Sequence, residues 1–249
     1  MNGIEISRTD LEHRITTPFL QREMDPFVRF EKGLGLDNTP RASFYCMSSK
    51  AGSFTPGNID AAGEAHWLAV VKGIKWLYLL PPTEHNLKMW KAAEEGSIRA
   101  DFLWLPDLCA ETPVQKQVVG ENQAVLIPSG YLPAVYTVTD SPAFAGRWLH
   151  EYNMDSHLKL EKIEIVTKSL KANRFPQFDR ICWLFADDYP KKWWKKRAQP
   201  KSSRFLHQIE ELSLKISAEM TKIKNKEPGW RTAERNLPSG WKTFRTWTS

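Results

Sequence analysis

The sequence predicts a mainly β protein, a jelly-roll or cupin-type barrel with helical flanks. Eight short runs of aromatic and β-branched residues, bounded by Gly, Pro, Asn or Asp, predict strands. One helical insert at 83–95, with Thr83 as its N-cap residue, interrupts the series. Strands and helices do not alternate as they do around a parallel sheet, so an antiparallel barrel is favoured. The predicted strands are 43–47, 53–59, 65–71, 75–80, 115–119, 124–127, 134–138 and 143–148.

After His150 the strand pattern stops, and helices are predicted at 158–169, 179–187 and 202–224. The last of these has apolar residues at steps of three and four, which form one continuous stripe. Such a stripe either packs on its own domain or forms a dimer or partner-helix surface. Its members are Phe205, Ile209, Leu212, Ile216, Met220 and Ile223.

These patterns divide the chain into three regions. They are an N-terminal flank at 1–40, a β-barrel at 41–168 and a basic helical C-terminal region at 169–249. The flank contains one predicted helix at 27–32, and the last residues, 227–249, are expected to form a partly ordered tail.

Composition excludes several classes of protein. No run of 18 apolar residues is present and the charged N-terminus lacks an apolar core, so neither a membrane span nor a signal peptide is predicted. The 3 cysteines, Cys46, Cys109 and Cys182, form no C-x-x-C pair, which argues against a disulfide framework or a cysteine-rich zinc finger. We therefore expect a soluble intracellular protein.

The net charge of +6 is concentrated at one end of the chain. From Tyr189 to Ser249 there are 15 Lys and Arg against 5 Asp and Glu. Cations and aromatics alternate most closely in Lys191, Lys192, Trp193, Trp194, Lys195, Lys196 and Arg197. This basic cluster is typical of a nucleic-acid or partner surface, or of a nuclear-import signal. The alternative is an amphipathic turn with packed Trp and solvated Lys side chains.

Two segments of the barrel region contain a longer signature. The first includes SFTPGNIDAAG at 53–63 and GIKWLYLLPPTE at 73–84. The second includes IPSGYLPAV at 127–135, LHEYN at 149–153 and RFPQF at 174–178. Together they resemble the JmjC-domain histone lysine demethylases, in particular the subgroup linked to F-box and PHD-finger proteins. The resemblance implies a double-stranded β-helix, with Fe(II) as the metal and 2-oxoglutarate as the co-substrate.

In that family, two histidines and one carboxylate hold the iron and leave open positions for the keto acid and O₂. The matching positions here are Asn58, Asp60 and Pro133. Only Asp60 is a family ligand, because an amide oxygen is a weak donor and proline has no side-chain donor. We therefore expect no bound Fe(II). His66 is the one candidate for a replacement ligand, whereas a structural role is expected for His150 and a surface position for His85.

The resemblance also identifies a co-substrate site. Thr55 and Lys75 match the residues that bind the distal carboxylate of 2-oxoglutarate in the family. Leu68 stands where relatives have a tyrosine, and Arg147 where they commonly have an asparagine. Metal-free binding of 2-oxoglutarate or another dicarboxylate is one interpretation. The other is that Thr55 and Lys75 are unselected remnants, or that Lys75 pairs with Asp60.

These residues lead to a main hypothesis and two alternatives. The main hypothesis is a nuclear, catalytically inactive relative of the demethylases that acts as a binding, scaffold or regulatory module in chromatin. Its expected partners are chromatin proteins or histone tails, DNA through the basic C-terminal region, and a partner or second copy through the helix at 202–224. The alternatives are an Fe(II)- and 2-oxoglutarate-dependent demethylase with an atypical metal site and a metal-free dicarboxylate sensor.

Overall fold

The computed structural model describes residues 2–7, 9–30, 44–98, 104–109, 113–166, 174–196 and 203–238, without the side chains of 2, 190–196 and 203–206. The strands of this part of the chain are β1 (Asn2–Glu5), β2 (Phe44–Ser49), β3 (Phe54–Thr55), β4 (Ala65–Val70), β5 (Lys75–Leu80), β6 (Gln115–Val119), β7 (Gln123–Ile127), β8 (Leu132–Thr137) and β9 (Ser141–Trp148).

The strands form two antiparallel sheets. One sheet has the order β1-β2-β9-β4-β7 and the other the order β3-β8-β5-β6. Neighbours within a sheet are distant in sequence, as when Ala65 of β4 pairs with Trp148 of β9. This arrangement is the jelly-roll barrel that the sequence predicts, and the mainly β fold class is confirmed.

Helices flank the two sheets. They are α1 (Phe19–Met24), α2 (Pro26–Arg29), α3 (Glu84–Glu94), α4 (Leu105–Leu108), α5 (Met154–Val166), α6 (Phe178–Lys196), α7 (Ser203–Asn225) and α8 (Trp230–Asn236). The predicted insert is α3, and the Thr83 hydroxyl accepts from the Asn86 N–H at 3.2 Å, which confirms Thr83 as its N-cap residue. No helix in these described ranges is long and apolar enough to cross a membrane.

The apolar stripe of α7 packs inside this chain. Leu212 and Ile216 are buried in one core cluster with Trp183 and Phe185 of α6. Ile209, Met220 and Ile223 are half-buried against the same cluster. The side chain of Phe205 lies outside the described residues. The stripe therefore stabilises the chain's own core, and its described part does not offer the dimer or partner-helix surface that was the alternative.

Several elements differ from the sequence prediction. The predicted strand at 53–59 is reduced to Phe54–Thr55 because Pro56 has no N–H and Gly57 adopts a φ of 117°. The Pro56 carbonyl instead accepts from the Leu105 N–H at the start of α4. Within the flank, β1 adds a strand to the five-stranded sheet, a pairing that no local pattern indicates. The domain boundaries themselves stay a prediction.

Helix ends also differ. The helix predicted from 158 begins at Met154, and the predicted tail contains the helix Trp230–Asn236. The helix predicted at 179–187 continues to Lys196. The helix predicted at 27–32 is observed as Pro26–Arg29, and residues 31–43 lie outside the described ranges.

Candidate functional site

A cavity of about 330 Å³ lies within the barrel, between the two sheets. Its polar wall contains Tyr45, Thr55, Asn58, Asp60, His66 and Arg147. Its apolar wall includes Met47, Leu68, Leu77, Ile127, Pro133 and Val135. Asn58, Asp60 and Pro133, which the resemblance matches to the family's metal-ligand positions, therefore line one cavity.

Strand alternation positions the polar residues. His66 and Leu68 stand two apart on β4, so both point to the same face of the sheet. Arg147 of β9 is the cross-strand partner of His66, which places the guanidinium beside the imidazole. Asp60 precedes the turn that leads into β4, and its carboxylate faces both groups.

The Asp60 carboxylate is engaged by protein side chains. His66 Nδ1 lies 2.7 Å from Oδ2, and Arg147 Nη1 lies 3.8 Å from Oδ1. Burial alone would raise the pKa of Asp60, but the charge and hydrogen bond of His66, together with Arg147, lower this pKa to about 2. The group is therefore a carboxylate, and it accepts a hydrogen bond from the Nδ1–H of His66.

Arg147 joins three other residues. Its Nη2 donates to the Tyr45 hydroxyl at 2.5 Å, and its Nε lies 3.5 Å from Glu64 Oε2. The guanidinium also lies over the Tyr45 ring, 5.0 Å from the ring centre. Burial raises the pKa of Glu64 well above its usual range, against the opposing charge of Arg147. One guanidinium thus contacts two acidic side chains, the Asp60 carboxylate and the Glu64 carboxyl group.

The two positions that lack histidines have other contacts. The Asn58 side-chain oxygen accepts a hydrogen bond from Trp90 Nε1 of α3 at 3.2 Å. Pro133 lies on β8 and presents only a ring to the cavity. In the described ranges, no cluster of three or more His, Cys, Asp and Glu side chains could hold a metal ion.

The two residues predicted to bind the co-substrate differ in their exposure to the cavity. Thr55 lines the cavity, whereas Lys75 is fully buried and does not line it. Lys75 Nζ donates to the hydroxyls of Ser49 at 3.0 Å and Thr137 at 3.3 Å. Lys75 is therefore not paired to Asp60, which corrects that interpretation. Burial lowers the pKa of Lys75 to about 8.

Helix α5 holds the turn that follows Asp60. Ala62 has a φ of 52°, and its N–H donates to Glu164 Oε1 at 2.7 Å. His157 Nδ1 lies 2.8 Å from the Ala62 carbonyl oxygen. Burial lowers the pKa of His157 to about 4, and burial raises the pKa of Glu164 to about 7 despite the hydrogen bond from Ala62. Both side chains position the backbone beside the cavity.

The remaining predicted residues lie elsewhere. The backbone N–H of His150 donates to His157 Nε2 at 3.3 Å, and its own Nε2 lies 3.1 Å from Asn153, which agrees with a structural role. His85 is half-buried on α3 rather than fully exposed. The basic cluster continues α6 as far as Lys196, but its side chains and Arg197 lie outside the described residues. Its role stays a prediction.

Sequence reasoning missed the contacts of Tyr45, Glu64 and Trp90. Arg147 was identified as an unusual residue, but its pairing with Asp60 was not anticipated. One signal was available, because Arg147 stands where relatives commonly have an uncharged asparagine, and an added cation inside a barrel needs an acidic partner. The partners could not be found from local patterns, since Tyr45 and Arg147 are far apart in the chain.

Two antiparallel sheets around a cavity that contains the Asn58, Asp60 and Pro133 positions define a JmjC-type barrel.

No family model matches the chain. The chain is 37% identical over 236 positions to a JmjC domain-containing histone demethylation protein 1 of Cryptococcus neoformans, covering 75% of this chain and 27% of that protein. A protein with the same description from Mycosarcoma maydis is 30% identical, covering 88% and 33%. Mouse lysine-specific demethylase 2B is 31% identical, covering 75% and 15%.

The chain belongs to the JmjC histone demethylase family. It spans about a quarter of the length of the first relatives, at 27% and 29%.

Proposed function

We propose that this chain is a JmjC barrel without iron chemistry that serves as a binding or scaffold module in chromatin. The supporting observation is the state of Asp60, whose two oxygens face His66 and Arg147. A metal ion at this carboxylate would have to displace both groups. It would also meet the Arg147 guanidinium, whose positive charge repels a cation.

The donor set does not fit Fe(II). One carboxylate is the only retained ligand, Asn58 offers a neutral amide oxygen bonded to Trp90, and Pro133 offers no donor. Imidazole nitrogens suit iron, and two of them are missing at the matching positions. His66 could add one nitrogen, yet its Nδ1 already donates to Asp60. An Fe(II)- and 2-oxoglutarate-dependent demethylase with an atypical site is therefore the alternative, tested below.

Anaerobic titration calorimetry with Fe(II) or Mn(II) tests this proposal. We expect no binding by the wild-type chain in the range of roughly 1–100 µM. The double variant Asn58→His/Pro133→His is expected to bind weakly, and adding Arg147→Asn should tighten binding because a repelling charge is removed. Tight 1:1 binding by the wild type that is lost in Asp60→Ala, but kept in the exposed control Asp107→Ala, would contradict the proposal.

The chromatin role rests on the family and on charge. The relatives are named as histone demethylation proteins and lysine-specific demethylases, which supports a histone tail or another chromatin protein as the partner. The net charge of +6, concentrated after Tyr189, supports contact with DNA and a nuclear location. Chromatin co-sedimentation of the full chain at low and high salt tests this part, and no recovery with nucleosomes at low salt would oppose it.

Lys75 favours a second candidate, a metal-free dicarboxylate sensor. Its ammonium is fully buried and, within the described part of the chain, only hydroxyl groups contact it. A buried cation without a counter-charge is costly, so an anion would stabilise it. In this case 2-oxoglutarate without metal should raise the melting temperature, and Lys75→Ala should remove the shift. No shift at millimolar 2-oxoglutarate rejects the sensor.

A further inference from the structure

One polar atom in the barrel cavity has no hydrogen-bond partner. Nε2 of His66 is buried and unpaired in the described part of the molecule, and the residue as a whole is 9% exposed. The other ring nitrogen, Nδ1, lies 2.7 Å from Asp60 Oδ2 and donates its proton there. Nε2 is therefore the ring nitrogen left to a molecule in the cavity, as an acceptor in the neutral ring and as an N–H donor in the charged ring. A buried polar atom without a partner costs free energy, so a hydrogen bond with a bound molecule would be stabilising.

The charged groups of the cavity wall are paired with one another. Arg147 faces Asp60 and Glu64 and donates to Tyr45. A ligand anion would therefore be repelled by the Asp60 carboxylate, and a ligand cation by the Arg147 guanidinium. The local charges nearly cancel, which favours a neutral ligand.

The rest of the wall is apolar. Met47, Leu68, Leu77, Ile127 and Val135 surround the space beside the imidazole. A water molecule could donate to His66 Nε2, but it would leave this apolar surface uncovered. The volume of about 330 Å³ is at the lower end of the range of small-molecule pockets, enough for a single-ring compound.

We propose that this cavity binds a neutral, largely apolar small molecule that forms one hydrogen bond, through a hydroxyl group, with Nε2 of His66. The inference rests on the proposed function, because an iron ion with its co-substrate would occupy the same space. It makes the barrel a ligand-responsive binding module instead of an oxygenase. The ligand differs in class from a dicarboxylate, which would need a cationic wall.

Two probes of matched shape test the proposal, p-cresol and toluene, which differ by one hydroxyl donor. Calorimetry on the full chain should show saturable 1:1 binding of p-cresol, about 5-fold tighter than toluene, as expected for one neutral hydrogen bond. His66→Phe keeps a ring of similar size and should abolish this preference while keeping toluene binding. The exposed control His13→Phe should keep the preference.

A measurement on the wild type covers the case in which His66→Phe fails to fold. In ¹⁵N-histidine NMR, p-cresol should shift the Nε2 resonance of His66, whereas toluene should leave it nearly unchanged. No saturable binding of either probe, equal affinity for both, or tighter binding of 2-oxoglutarate than of p-cresol would overturn the proposal. The metal titration is a separate readout, so failure here leaves the iron-free barrel standing, and tight iron binding would defeat both.

Discussion

Arg147 links the polar residues on one side of the barrel cavity. Its guanidinium faces Asp60 and Glu64 and is held by Tyr45. An arginine keeps its charge at every accessible pH, and its planar group can serve several acceptors at once. The residue therefore stabilises the barrel in the way that a bound cation would, without offering open coordination positions.

Replacing Arg147 by methionine should destabilise the fold. The change leaves Asp60 and Glu64 without their shared cation, and losing one partner of such a group typically costs about 2–4 kcal/mol. Urea denaturation measures the free energy of unfolding. The exposed control Arg22→Met should change it by less than about 0.5 kcal/mol. A similar small change for Arg147→Met would show that the guanidinium does not balance these carboxylates.

His157 makes stability depend on pH. Its pKa in the folded protein is about 4, below its usual 6.5, because it is buried. Between these values the unfolded chain binds a proton that the folded protein does not, so this contribution to stability is lost as the pH falls from 6.5 to 4. His157→Gln should remove that loss, which is measured as the free energy of unfolding at several pH values.

Glu164 supplies the matched comparison. Its pKa is raised by burial to about 7 from 4.5, so the folded protein holds the extra proton and this contribution is lost as the pH rises from 4.5 to 7. Glu164→Gln should therefore make acid destabilisation steeper, opposite to His157→Gln. If the free energy of unfolding changed with pH at the same slope in both variants, neither group would titrate as described.

Among the secondary-structure elements, α3 and α5 shape the site from outside the sheets. Helix α3 supplies Trp90, which holds the Asn58 amide, and α5 supplies His157 and Glu164, which hold Ala62. The segment 58–63 is thus held at both ends by helices. Its backbone is therefore fixed beside the cavity.

Contact between α5 and the turn gives a test with a matched control. Gly63 has a φ of +67°, and a Cβ there would lie 2.2 Å from Leu160 Cδ1. Gly96 has a similar φ of +71° but nothing within 4 Å. Gly63→Ala should cost about 1–3 kcal/mol more than Gly96→Ala, because both share the backbone strain and only the first overpacks. Equal losses in thermal or urea denaturation would show that α5 does not press on this turn.

For the whole molecule, the barrel and the C-terminal helices share one core. The cluster around Trp183 joins Phe27 from the flank, Ala62 beside the site and Leu212 of α7. The C-terminal region is thus part of the folded unit in its described residues. The basic cluster at the end of α6 is attached to that unit rather than to a separate tail.

This placement yields a prediction for DNA binding. Changing Lys191, Lys192, Lys195 and Lys196 to Gln should weaken binding of the full chain to duplex DNA and reduce the slope of log K against log salt by up to ~3.6, about 0.9 per phosphate contact. Fluorescence anisotropy at several salt concentrations measures the slope. A control removes four exposed barrel lysines, Lys50, Lys72, Lys88 and Lys116. If both sets of substitutions reduced the salt slope equally, the DNA binding would reflect non-specific attraction. If the first set had no effect on DNA binding, the basic cluster would be rejected as the DNA-binding surface.

The sequence by itself determined the fold class, and it predicts which positions match the family's metal site. The alternation of side chains along strands and the turn residues between them are local patterns that can be read from the sequence. Asn58, Asp60 and Pro133 are identified by the order of the motifs alone. The positions of the insert helix α3 and the C-terminal helices followed from the same local periodicity, with shifts at their ends.

Only the tertiary structure decided what the surviving residues contact. Asp60 is paired with His66 and Arg147, whereas Lys75 is enclosed by Ser49 and Thr137. The sequence likewise did not predict strand β1 or the hydrogen bond from Trp90 to Asn58. The physical reason is that most of these contacts join residues far apart in the chain, whose meeting depends on sheet register and packing, and that Asp60 and His66 meet only through the turn between them. Local propensity carries no information about either.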